Sequence, residues 1–478
     1  MFKRISVMLG FLVLILIFSQ SSGLAQPTAG ASSVTVSGHF NVLWGDGSQE
    51  NPGSQAYFYL TTDDGEIINL QVDGISLDLG ALLHQPVRAG GSWLQSPEAG
   101  GSAILDVTSV VIEKSGEIVS GNSELLGDIP WVMLQCKFLG YDNEPMYPEY
   151  YSGMFSSEFP GLDHFWREQS YNLINLPGAV IYGWYDLPHE PEYYLPPEGQ
   201  SITINTLNVL ANDCISAANA EVDFGPFYGI MMMFNADPYR MAFGTLTYKI
   251  TIDGVYKNWG MMWIPPWGIE NIGIVEHEMG HTFGLLHSSG EYGLIYDNAW
   301  DLMSDVWSNK ARGAVDPVYG GLGQHTIFYH KHRLGWVDDD HWALIRPGAR
   351  TTLALERLAL PESGNLLGAK VLIDNDPIRF ITVEARQQVG YDFWLPAVEG
   401  WDKSVIIHDV DTWLWEPAHV IDIDYNGETE DEGAMWLPGE EYYNATYGIR
   451  ITIDEATPTG FIVTIWNRYH GTGFKYLP

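Results

Sequence analysis

The stretch His277-Glu278-Met279-Gly280-His281-Thr282-Phe283-Gly284-Leu285-Leu286-His287 constrains this chain most, because it asks one helix and one returning loop to bring three imidazoles to a single point. Residues four apart on a helix share a face one turn apart, so His277 and His281 direct ring nitrogens at one ion. Gly284 takes positive φ without steric cost, which stops the helix and turns the chain so that His287 comes back toward the metal. Neutral imidazoles bind Zn²⁺ at roughly 2.0–2.1 Å, and three protein ligands leave the fourth position for water, the catalytic rather than the structural pattern. Glu278 stands beside that water as general base. The competing reading is a core helix, buried by Ile272, Ile274, Val275, Met279, Phe283 and Leu286, whose histidines only hydrogen-bond. A match at every fixed position of the long pattern weighs against it.

The pattern H-E-x-x-H-x-x-G-x-x-H, followed by Trp300-Asp301-Leu302-Met303-Ser304 within Tyr296 to Asp305, resembles the metzincin zinc metalloproteases. The resemblance implies His277, His281 and His287 as zinc ligands and Glu278 as base. It also implies Met303 as the methionine that lies beneath the histidines as an apolar floor. Ser288, after the third ligand, is similar to gametolysin-like and matrixin-like members rather than to astacins and adamalysins. Asp305 stands where astacins and serralysins place a tyrosine, so no tyrosine switch is expected. Asp163 to Tyr171 and Gly183 to Pro188 resemble gametolysin-type and immune-inhibitor-A-like secreted bacterial peptidases more loosely.

A length of 478 residues with 46% apolar composition fits two or three packed domains. Lys3 and Arg4, the apolar run Val7 to Phe18 and Gly23-Leu24-Ala25 read as a signal peptide over residues 1–25, so the expected localisation is secreted or extracellular. No later apolar run approaches about eighteen residues, so no membrane span is expected. A net charge of −37 makes nucleic acid an improbable partner. The same acidity admits structural Ca²⁺ at Asp338 to Asp340, Asp374 to Asp376 or Glu428 to Glu432. None has EF-hand spacing, and solvated loops are the plainer expectation. The only cysteines, Cys136 on an expected strand and Cys214 on an expected helix, suit one disulfide in an oxidising compartment. Cys136 as a latency thiol lacks the Pro-Arg-Cys-Gly surroundings that matrixins use. Oligomeric state is left open.

The expected fold class is multidomain. A small N-terminal β domain over 33–120, either a pro-segment or a permanent accessory, precedes an α+β metzincin-like catalytic domain over 121–340. A C-terminal β-sandwich spans 341–478. Tyr248 to Ile252 and Gly260 to Ile264 are expected to form a hairpin before the active-site helix; in the family resembled, an edge strand there pairs with extended substrate. Gly323 to Trp336 is expected as a closing helix, with His325, His330 and His332 outside the metal set. The expected function is secreted zinc endopeptidase action on protein or peptide substrates. Two alternatives stand beside it: a non-catalytic adhesion or carbohydrate-binding protein with a vestigial zinc site, and a metal-dependent hydrolase of another bond.

Overall fold

The computed structural model describes residues 33–468 apart from 73–74, 76, 98–101, 114–124, 198–201, 248–249 and 291–293. The leader expected over 1–25 lies outside the described residues.

Gly229–Phe234, a Met-rich run buried at every position, has the composition of a strand covered on both faces. It pairs in parallel with Trp131–Lys137 on one side and Gly260–Ile264 on the other. Met241–Leu246 adds antiparallel to Gly260–Ile264, and Val34–Gly47 adds antiparallel to Met241–Leu246. Val34–Gly47 also pairs with Ser54–Thr61 and with Pro86–Gln95. Through Ile67–Gln71 and Ala103–Ile112 these N-terminal strands close on themselves as a small barrel, filled by Phe40, Val42, Leu60, Val87 and Leu105. One ten-stranded sheet therefore runs from the barrel into the half that carries helix Ile272–Thr282.

This corrects the expected architecture of an α+β catalytic domain flanked by a separate N-terminal β domain. The described residues form a mixed, β-rich fold, with 38% of them in strands against 17% in helices. Alternation identified the strands, but pairing is set by contacts remote in sequence. At 14 residues, Val34–Gly47 is long enough to serve both barrel and central sheet. The expected hairpin is likewise replaced. Ile250–Ile252 turns back on Val255–Lys257, Gly260–Ile264 lies inside the large sheet, and Met241–Leu246 is the strand that packs along helix Ile272–Thr282. The closing helix contracts to Phe328–Arg333.

Two apolar layers cover the sheet. Helices Leu162–Gln169 and Ile272–Thr282 bury Trp166, Phe165, Ile272 and Val275 on one face. Helix Ile204–Ala218 covers the other through Leu207, Leu210 and Ala211. Cys136 and Cys214 are joined in a disulfide across a Cα separation of 6.0 Å, tying this helix to strand Trp131–Lys137. Toward the C-terminus a six-stranded and a four-stranded sheet share a core of Val371, Ile381, Val383, Ile407, Ile451 and Val463. The six-stranded sheet takes its edge strand, Ser289–Gly290, from just after His287, in parallel with Ala418–Val420. The loop that follows His287 is thus fastened to the C-terminal layers. Among the described residues no helix is long and apolar enough to cross a membrane.

Candidate metal centre

Helix Ile272–Thr282 is buried along its whole length and ends at Phe283. Gly284 has φ +85°, and the Leu285 N–H donates back to the Gly280 carbonyl at 3.1 Å, so the turn inferred from Gly284 is present. His277 Nδ1 donates to the Leu302 carbonyl at 2.7 Å and His281 Nδ1 to the Leu285 carbonyl at 2.9 Å. A carbonyl only accepts, so both rings carry their proton on Nδ1 and present an Nε2 lone pair. The third ring, His287, has Nδ1 2.9 Å from Ser54 Oγ, a residue of the N-terminal barrel.

The three Nε2 atoms meet at mutual separations of 3.2, 3.2 and 3.0 Å. Lone pairs so placed repel one another unless a cation stands among them. Tetrahedral bonds of roughly 2.0–2.1 Å place ligand nitrogens about 3.3 Å apart, so the donor set fits a zinc ion.

A fourth group joins them. Asp46 Oδ1 lies 3.1 Å from His287 Nε2, and Oδ2 lies 3.4 Å from His281 Nε2 and 3.5 Å from His277 Nε2. Asp46, His277, His281 and His287 are all buried and form a group able to hold a metal ion. The Asp46 carboxylate stands against all three Nε2 atoms, a neighbour that the expected set of three histidines did not include. Asp46 Oδ2 has no hydrogen-bond donor of its own. The Tyr296 hydroxyl lies 2.6 Å from Asp46 Oδ1 and 2.7 Å from the Gly53 carbonyl. Trp44 stacks on His281 with ring centroids 5.2 Å apart and lies 4.6 Å from His287. Sequence reading missed Asp46, Ser54 and Trp44 because no spacing links Trp44-Gly45-Asp46 to the histidine motif. Only the pairing of Val34–Gly47 with Met241–Leu246 brings them there.

Glu278 faces the same space, fully buried, with neither carboxylate oxygen hydrogen-bonded. Burial first, and then the charge of Asp46, push its carboxyl well above the usual carboxylate range. Gly244 allows this closeness, since a Cβ there would run into the Glu278 carbonyl.

Met303 is buried against the helix, where a methyl group on Gly280 would overlap its sulfur. Asp301 organises the turn: Oδ2 accepts from Ser288 Oγ at 2.6 Å, and Oδ1 accepts from Thr326 Oγ1 at 2.6 Å and from the Met303 N–H at 3.2 Å. Asp305 caps the next helix by accepting from the Ser308 N–H at 2.8 Å. The histidines of the closing segment stay outside the centre. His325 Nε2 lies 2.9 Å from Glu168, His330 Nδ1 lies 3.1 Å from Asp301, and His332 packs edge-on to Trp342. Of the acidic runs considered for calcium, only Asp431 joins a cluster able to hold a cation, with Asp422 and Asp424.

No family model matches the chain, and no curated protein matches it.

Proposed function

We propose that the chain is a secreted zinc endopeptidase of the metzincin type, acting on protein or peptide substrates. The observation that carries this reading is the convergence of three Nε2 atoms beside a buried, unpartnered glutamate. Zinc held by His277, His281 and His287 would supply Lewis acidity, polarising a substrate carbonyl and lowering the pKa of water. The chain does the rest. The Leu302 and Leu285 carbonyls fix the tautomers of His277 and His281 and keep their rings aimed. Glu278 accepts a proton from the attacking water and returns it to the leaving amine. An extended peptide would add to Met241–Leu246 as a strand only where Trp44–Gly47 gives up its pairing with Met241–Gly244. The disulfide suits an oxidising compartment, in keeping with export.

One observation favours a second reading. A set of three histidines and Asp46 is complete, and closed four-coordinate zinc is the structural pattern. The ion would then staple barrel to helix in a non-catalytic adhesion or carbohydrate-binding protein. Glu278 argues against it, since a structural centre gains nothing from a buried carboxylate without partners, which costs stability.

Casein and a peptide library, offered to the zinc-loaded chain and to its Asp46→Ala variant, test the reading. Hydrolysis should appear in at least one form. Adding Glu278→Gln to the active form should remove it by about 10²–10⁴-fold at unchanged zinc content. No cleavage by either zinc-loaded form, or full activity with Gln at position 278, contradicts the proposal.

A further inference from the structure

We propose that the cleft where the N-terminal strands, helix Phe328–Arg333 and the six-stranded sheet meet binds a small organic monocarboxylate, with its carboxylate on Lys370 and its apolar body against Phe328 and Phe380. The inference depends neither on the metal centre nor on peptide hydrolysis, since none of the residues lining the cleft belongs to the group of Asp46 and the three histidines.

Its first support is the space. The cleft has a volume of about 250 Å³ and is bounded by Asp78 and Ala81, by the helix, and by strands Gly368–Leu372 and Arg379–Gln387. Pockets for drug-sized ligands run from roughly 300 to 1,000 Å³, so this one suits a body of a few carbons.

Its second support is charge. The chain carries 23 Lys and Arg against 60 Asp and Glu, yet His332, Arg333 and Lys370 line the cleft against one acid, Asp78. Burial raises the Asp78 carboxyl, and the Arg333 charge works against that rise, so these two answer each other. Burial pushes His332 down to about 4, which leaves its ring neutral at pH 7. Lys370 is the charge left over. Its Nζ stands 3.7 Å from the centroid of the Phe380 ring, and its hydrogen bond to the Pro377 carbonyl is long, at 3.4 Å. Burial pulls the ammonium down to about 8, a cost that a bound anion removes.

Its third support is a hydroxyl without a partner. Lys370 and Thr382 are directly opposite in the antiparallel ladder, so their side chains leave the same face of the sheet. Phe380, two residues before Thr382, shares that face. Thr382 lines the cleft, is 1% exposed, and has no hydrogen-bond partner for Oγ1. A buried hydroxyl in that condition costs free energy, and a carboxylate oxygen beside Lys370 accepts from it. One ammonium and one hydroxyl match a single carboxylate. A phosphate ion has more charge and more oxygens to satisfy, and in Phe328, Ile378 and Phe380 it meets only apolar walls. Those walls suit the hydrocarbon part of a carboxylic acid.

Isothermal titration calorimetry of the zinc-loaded full chain with hexanoate tests the proposal, with hexan-1-ol and inorganic phosphate as comparison ligands. One hexanoate per chain is expected, bound at least about tenfold more tightly than either comparison ligand, as charge-assisted hydrogen bonds allow. Lys370→Met removes the charge but keeps an unbranched side chain, and should weaken hexanoate by at least about tenfold. Should that variant not fold, Thr382→Val keeps the shape and removes the hydroxyl, and a loss of about threefold or more is expected. Absence of saturable hexanoate binding overturns the proposal, as does equal binding of hexan-1-ol or phosphate. Hexanoate affinity equal to wild type in a folded variant also overturns it, because binding at the metal centre or elsewhere would be indifferent to positions 370 and 382.

Discussion

Arg386 is the buried cation through which the C-terminal layers reach the metal turn, and replacing it with methionine should destabilise both. Its side chain is 1% exposed and donates to Asp392 Oδ1 at 2.8 Å, Asp392 Oδ2 at 2.9 Å, Glu384 Oε1 at 3.1 Å and the His325 carbonyl at 3.2 Å. It also donates to the carbonyl of Trp300, in the turn that leads to Met303. Glu384 and Asp392 are themselves fully buried, so Arg386→Met leaves both acids without the guanidinium they face. Breaking a buried pair in this way costs about 3–5 kcal/mol. The sign of the pH dependence follows. Burial raises the Asp392 carboxyl, and the Arg386 charge overrides it to hold that carboxyl low. Without Arg386 burial wins, folding takes up protons, and the variant recovers stability relative to wild type as pH falls from 8 toward 5. Urea unfolding of the zinc-loaded proteins followed by tryptophan fluorescence, with zinc release to a chromophoric chelator, measures both effects. A loss below about 1 kcal/mol at pH 8, or a loss independent of pH, would refute the reasoning. Zinc release at the wild-type rate would refute the link to the turn.

The disulfide closes a segment with a sequence separation of 78, for which chain entropy gives about 4.5 kcal/mol, so Cys136→Ser with Cys214→Ser should lower unfolding stability on that scale. Calorimetry showing less than about 1 kcal/mol would count against it. Burial pushes the Lys331 ammonium down to about 7, while Nζ donates to Gln169 Oε1 at 3.1 Å. Between there and the unfolded value near 10.4 the unfolded chain binds more protons, so stability should rise with pH by at most about 1.4 kcal/mol per unit. That component should be absent from denaturant titrations of Lys331→Met, and an unchanged slope would contradict the assignment.

What the sequence made legible was local. The turn spacing of His277 and His281, the positive φ of Gly284 and the return to His287 are properties of consecutive residues, so they survive in any fold that forms that helix. The strand bearing Cys136 and the helix bearing Cys214 were legible for the same reason. Partnership was not. Alternation in Val34–Gly47 shows a strand but not that its last residues lie along Met241–Leu246. Nothing in the sequence around Asp46 links it to the histidines. Ser289–Gly290 is too short to carry any strand signal, and its place in the C-terminal sheet comes from Ala418–Val420. These pairings join segments far apart in sequence, which residue periodicity does not encode.

Zinc K-edge X-ray absorption on the full chain tests the central claim most directly. One zinc per chain with three imidazole nitrogens at roughly 2.0–2.1 Å and one carboxylate oxygen is the predicted shell, lost in His281→Ala. A shell containing sulfur, a shell of oxygens alone, or zinc bound equally well by His281→Ala would contradict it.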